Sequence, residues 1–228
     1  MNSEENLCEE WGALFDLDGV LVDSEGEYTR FWHLIDEKYP TGIEDFEYVI
    51  KGNTLGNILS TYFPDPVVQS SIVDMLKEQE QGMRYILFDG VLELLEDLVN
   101  HNCRTAIVTS SNSLKMSHLF EQHPRLLELV EVVITEENVK FSKPHPQGYN
   151  LAATSLGLKP HRCIVFEDSV AGVQAGRRAG GAVVGITTTN PAEMLANFAD
   201  ILIDSIDSVT VDMLVGLLKQ YDVVEQEL

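Results

Sequence analysis

A chain of 228 residues, 44% of them hydrophobic, can bury one large domain or a core with a smaller insert. Its 37 Asp and Glu against 15 Lys and Arg leave a net charge of −22, which argues against nucleic acid and anionic membrane surfaces as partners. Three widely spaced cysteines (Cys8, Cys103, Cys163) without a Cys-x-x-Cys point to neither a zinc site nor a disulfide framework.

The N-terminus lacks a basic stretch followed by an apolar one, and no apolar run approaches about 18 residues, so neither a signal peptide nor a membrane span is expected. A cytoplasmic monomer is the expectation.

The first strand is predicted at 12–15 and ends abruptly in Asp16-Leu17-Asp18-Gly19. From 23 to 89 strand signal is scarce. Helices are expected there at 25–38, about 44–50, 55–62 and 67–82, separated by Pro40-Thr41-Gly42, Lys51-Gly52-Asn53 and Pro64-Asp65-Pro66. Residues 91–100 (VLELLEDLVN) place apolar side chains at i, i+3, i+4 and i+7 of a helix. Strands then follow at 105–108, 130–134, 163–166, 182–186 and 201–203, with helices at 147–156, 170–179 and 191–198. Strands alternating with helices predict an α/β fold, a Rossmann-like parallel sheet with helices on both faces. That core takes residues 1–22 and 90–228, and residues 23–89 form a small helical domain inserted after the first strand.

Ligands of such a sheet bind beyond the carboxyl ends of its strands. Asp16 and Asp18 follow the first strand, and i, i+2 spacing on an extended segment points both carboxylates one way. A turn capping the next helix fits the same pair about as well. Thr109-Ser110-Ser111-Asn112 follow the second strand, where hydroxyls and free N–H groups at a helix start hold an anion, or simply cap the helix. Lys143 lies in FSKPHP after the third strand, in a loop that Pro144 and Pro146 stiffen, where its ammonium is held in place or is simply solvated, and His145 reads as loop surface. Glu167-Asp168-Ser169 follow the fourth strand.

If the fold brings these clusters together, several carboxylates share one place and need a cation. Oxygen ligands without His or Cys favour a hard ion, and Mg²⁺ suits a phosphate site. The expected ligands are an Asp16 oxygen, the Asp18 backbone carbonyl and an Asp168 oxygen.

These motifs resemble the haloacid dehalogenase superfamily of phosphotransferases. DLDGV is similar to its first motif, Thr109 in IVTSS to the second, and Lys143 in SKPHP to the third. FEDSVAGVQAG resembles the Glu-Asp-Ser pattern of the β-phosphoglucomutase-like branch, whose helical cap domain matches the insert. The resemblance implies that Asp16 attacks phosphorus and becomes an aspartyl-phosphate, and that Asp18 protonates the leaving oxygen and then activates water. Lys143, Thr109 and Ser110 would bind the phosphoryl group, and Glu167 would shape the metal's surroundings. The cap would close over a small phosphorylated metabolite, a sugar phosphate being the leading class.

The branch's mutases carry a cap histidine where this chain has Tyr28 and a phosphate-gripping arginine near Leu55, and Ser142 stands where a glycine is common. The first two losses favour a phosphatase over a β-phosphoglucomutase-type mutase, the alternative. A dehalogenase leaves Asp18, Glu167 and Asp168 without a role, and a response-regulator receiver lacks the insert. Tyr28, Lys51, Asn53 and Thr54 are the expected substrate-facing residues of the cap.

Overall fold

The computed structural model describes residues 10–50 and 55–226. In chain order the strands are β1 (Trp11–Phe15), β2 (Val22–Asp23), β3 (Ile86–Leu87), β4 (Cys103–Val108), β5 (Val132–Ile134), β6 (Cys163–Glu167), β7 (Ala182–Ile186) and β8 (Ile201–Ile203). The helices are α1 (Glu25–Lys38), α2 (Phe46–Val49), α3 (Leu55–Tyr62), α4 (Pro66–Gly82), α5 (Val91–Asn100), α6 (Ser113–Gln122), α7 (Pro124–Leu129), α8 (Gln147–Ser155), α9 (Val170–Ala179), α10 (Ala192–Leu195) and α11 (Val211–Gln226). The chain divides into two compact units, Met1–Val22 with Leu87–Leu228, and Asp23–Ile86.

The larger unit holds a six-stranded sheet in the order β5-β4-β1-β6-β7-β8, every pair parallel. This is the parallel α/β sheet that the alternating pattern predicts. All five residues of β1, β6 and β7 are buried, because a parallel sheet covered on both faces has no solvent side. Val91, Leu94, Leu95 and Leu98 are the buried stripe of α5, as the periodicity requires. Leu14, Val165 and Val183 of the sheet pack in one cluster with Tyr149, Ala152 and Leu156 of the α8 segment and Val173 of α9.

Local signals set several helix ends. Asp65 caps α4 by accepting from the Val67 N–H at 2.8 Å, with Pro66 at the first helical position. Asn112 caps α6 by accepting from the Lys115 N–H at 2.8 Å. Ser169 caps α9 through the Gly172 N–H at 3.0 Å, and that helix ends at Gly180 with φ 89°. The helix expected over 191–198 shortens to α10, since the chain turns back on Leu195 through bonds from Phe198 and Ala199 N–H before entering β8.

The smaller unit has its own core. Trp32 lies edge-on to Phe31 and Phe46 and stacked with Phe63, with Ile35, Ile58 and Ile72 filling the remainder. Among the described residues no helix is long and apolar enough to cross a membrane.

Candidate active site

The register of the central strands assembles the site. Phe15 of β1 pairs with Ile107 of β4 on one side and Phe166 of β6 on the other. The residues that follow therefore emerge side by side: Asp16, then Val108 and Thr109, then Glu167 and Asp168. The Asp16 N–H donates to the Phe166 carbonyl at 3.0 Å and the Thr109 N–H to the Ile134 carbonyl at 2.9 Å, extending the ladders by one residue.

Lys143 reaches into this line from the loop before α8. Its Nζ lies 2.7 Å from Asp16 Oδ1, 2.6 Å from Glu167 Oε1 and 2.9 Å from the Val108 carbonyl. The ammonium also lies 5.2 Å from the centre of the Tyr149 ring. The Tyr149 hydroxyl donates to Glu167 Oε1 at 2.7 Å. Glu167 is fully buried, and its Oε2 accepts from the N–H groups of Asp168 and Ser169 at 3.2 Å and from the Ser169 hydroxyl at 3.0 Å. A carboxylate this deep is tolerable because both oxygens are bonded.

Burial pushes Asp16 up to about 7, opposed by Lys143 and reinforced by Glu167. Burial works against charge on Lys143 too, but Asp16 and Glu167 together hold its ammonium above the usual lysine range. Burial, with Glu167 adding to it, drives Asp168 well above the usual carboxylate range.

Past Asp16 the chain leaves the strand into a turn, and the Asp18 charge stays close enough to Asp16 to add to its rise. The Leu21 and Val22 N–H groups turn back to the Leu17 carbonyl at 2.8 and 3.0 Å, through Gly19 at φ 77°. The Asp18 carboxylate bonds Lys115 of α6, whose Nζ is 2.7 Å from both of its oxygens. The Ser111 hydroxyl donates to Asp18 Oδ2 at 3.0 Å. Each aspartate of the pair thus has its own lysine, where the sequence offered one lysine for both.

Sequence reasoning passed over Lys115, although it sits four residues before buried Leu119 and so on the apolar face of α6. Two other contributors were also missed. Tyr149 drew no notice inside the helix expected at 147–156, and its ring is buried in the core. The run Thr187-Thr188-Thr189-Asn190 at the end of β7 was a fifth polar strand end. The Thr188 hydroxyl donates to the Gly19 carbonyl, the Thr189 hydroxyl bonds the Asp168 carboxylate, and the Asn190 amide donates to the Asp168 carbonyl at 3.0 Å.

Thr109 is buried at the end of β4, its hydroxyl accepting from the Ser111 N–H at 3.0 Å, and Ser110 beside it is exposed. Glu137 bonds the Ser113 N–H and hydroxyl at 3.0 and 3.1 Å, tying the loop after β5 to the start of α6. His145 is exposed, its Nδ1 accepting from the Gln147 N–H at 3.2 Å. In the smaller unit the Tyr28 hydroxyl donates to Glu80 Oε1 at 3.0 Å. Lys51, Asn53 and Thr54 lie outside the described residues, as does Cys8.

The donor set fits a hard divalent cation. Oxygens of Asp16, Glu167 and Asp168 lie within 4.8 Å of one another. When all four are ionised, Asp16, Asp18, Glu167 and Asp168 carry four negative charges against the two ammonium groups of Lys115 and Lys143, a balance of two that one such ion would neutralise. Gly19 leaves room beside Asp168, since a Cβ there would fall 1.9 Å from Asp168 Oδ2.

A family model for haloacid dehalogenase-like hydrolases matches residues 12–180. The chain is 33% identical over 207 residues to validoxylamine A 7'-phosphate phosphatase of Streptomyces hygroscopicus subsp. limoneus, covering 86% of this chain and 94% of that one. It is 31% identical to hexitol phosphatase A of Escherichia coli, covering 88% and 93%. A crystal structure of a family IA, variant 3 hydrolase from Entamoeba histolytica superposes with a TM-score of 0.79 at 23% identity, over 92% of this chain and 99% of that one.

Proposed function

The chain belongs to the haloacid dehalogenase-like hydrolase family, and we propose that it is a Mg²⁺-dependent phosphatase of a small phosphorylated metabolite, a sugar or sugar-alcohol phosphate, in the cytoplasm. The observation that carries this reading is the Asp16 carboxylate, set on Lys143 at the end of the central strand beside Glu167 and Asp168. The relatives named for hydrolysing validoxylamine 7'-phosphate and hexitol phosphates support the substrate class.

In this reading an Asp16 oxygen forms a bond to phosphorus as the bond to the leaving oxygen breaks. Asp18 gives that oxygen a proton. A water then attacks the aspartyl-phosphate, Asp18 takes its proton back from the water, and the Asp16–phosphorus bond breaks to release inorganic phosphate. Lys143, the Thr109 hydroxyl and the Ser110 N–H hold the phosphoryl oxygens as charge spreads over them. Bound by Asp16, Asp168 and the Asp18 carbonyl, Mg²⁺ would neutralise charge at the phosphoryl group. Glu167 keeps Lys143 in place from behind. Tyr28, Lys51, Asn53 and Thr54 stand as substrate contacts of the insert.

Phosphate release from a panel of hexose, hexitol and gluconate phosphates, pyrophosphate and β-glucose 1-phosphate, with and without Mg²⁺, tests the proposal. Metal-dependent release that collapses in Asp18→Asn supports it. Conversion of β-glucose 1-phosphate to glucose 6-phosphate without phosphate release would overturn it in favour of a mutase.

A further inference from the structure

Lys115 is buried to 1% exposure on the apolar face of α6, between residues that pack into the core. An ammonium there is costly to desolvate, and an apolar side chain of similar length would fill the same space without that cost. Its position is explained by what it touches. Both Asp18 oxygens lie 2.7 Å from Nζ, and the Ser111 hydroxyl bonds one of them from the same stretch of chain. The pair is asymmetric: the Asp18 side chain keeps 31% of its surface open while Lys115 keeps almost none.

We propose that Lys115 is the positioning residue for Asp18, gripping its carboxylate from the interior so that the open side meets the leaving oxygen of the substrate. The inference rests on the role given to Asp18 above and adds the residue that makes that role geometrically reliable. An aspartate side chain on a surface turn samples several rotamers, and proton transfer requires one of them. A misplacement of about 1 Å in a reacting group costs on the order of a hundredfold in rate. Lys115 and Ser111 fix the carboxylate through donors that come from one capped helix start, so the orientation is set by α6 and not by the turn that carries Asp18.

The test compares two substrates with Mg²⁺ present. A hexitol phosphate expels an alkoxide and depends on the proton from Asp18, whereas p-nitrophenyl phosphate expels a stable phenolate. Lys115→Met is expected to lower kcat/KM for the hexitol phosphate about tenfold or more and to leave kcat/KM for the aryl phosphate within about threefold, because kcat/KM reports the steps through expulsion of the leaving group and not the later water step that both substrates share. Adding Lys115→Met to Asp18→Asn should cause no further loss, since it acts through a group already removed. Ser111→Ala should show the same selectivity at smaller size, and it decides the matter if circular dichroism shows Lys115→Met unfolded. Equal losses of kcat/KM on both substrates, or a further loss in the Asp18→Asn background, would overturn the inference while leaving the phosphatase reading intact. A wild-type enzyme that releases phosphate from neither substrate overturns both.

Discussion

Gly172 packs so tightly on Glu167 that a Cβ built on it would lie 1.8 Å from the Glu167 Cδ and 1.9 Å from Oε1. The first turn of α9 is therefore the floor on which the buried carboxylate rests, and through Glu167 the floor under Lys143. Gly172→Ala should destabilise the protein by about 1–3 kcal/mol, the cost of overpacking a filled site. It should also lower phosphate release, because Lys143 moves with Glu167. Urea denaturation and turnover on the same preparation check both effects; a variant equal to wild type in each refutes the role of the glycine.

Lys143→Met removes the cation between Asp16 and Glu167. Two buried carboxylates then face each other unpaired, with an expected loss of about 3–5 kcal/mol that chemical denaturation reads directly. Added Mg²⁺ should recover part of that stability in the variant, since it supplies positive charge to the same oxygens.

Tyr149→Phe keeps the ring against the Lys143 ammonium and removes only the hydroxyl that donates to Glu167. Loss of that buried donor should cost about 1–3 kcal/mol in thermal or urea unfolding. Turnover should fall less than in Lys143→Met, because the cation stays in place.

The carboxylate cluster predicts a pH-dependent response to metal. Asp16 rises from 3.8 to about 7 in the folded protein because it is buried, so its contribution to stability is full below the unfolded value and is lost as pH rises through the folded one. The metal-free protein should accordingly lose Tm between about pH 4 and pH 7. Mg²⁺ at about 100 times its Kd should contribute roughly 2.7 kcal/mol, about 5–10 °C in Tm, above that window and less near pH 5. Asp16→Asn should flatten this dependence in differential scanning fluorimetry.

The parallel sheet was legible because its strands are short apolar runs buried on both faces, and α5 because Val91, Leu94, Leu95 and Leu98 follow the helical period. Asp16, Thr109, Glu167 and Asp168 were legible as polar residues placed where apolar strands end, and Lys143 as a lysine in a proline-stiffened loop before a helix. The lysine pairing of Asp18 was not. It depends on a turn whose path is set by Gly19 and by hydrogen bonds back to Leu17. Lys115 was hidden for a related reason. Lysines on helices are usually solvated, and only the partner 97 positions away accounts for a buried one. The Thr188 to Asn190 run illustrates a different limit. Its polarity was visible, but its bonds to Gly19 and Asp168 follow from β7 lying next to β6 in the sheet.

Passage of the phosphoryl group through Asp16 is read by acid-quenching the enzyme during turnover of a hexitol phosphate and mapping phosphorylated peptides by mass spectrometry. One phosphoryl group is expected on the peptide containing Asp16, formed only with Mg²⁺ present and absent in Asp16→Asn, which should also have lost about a thousandfold or more in turnover. Steady Mg²⁺-dependent turnover by Asp16→Asn, or a phosphoryl group trapped on another residue, would contradict it.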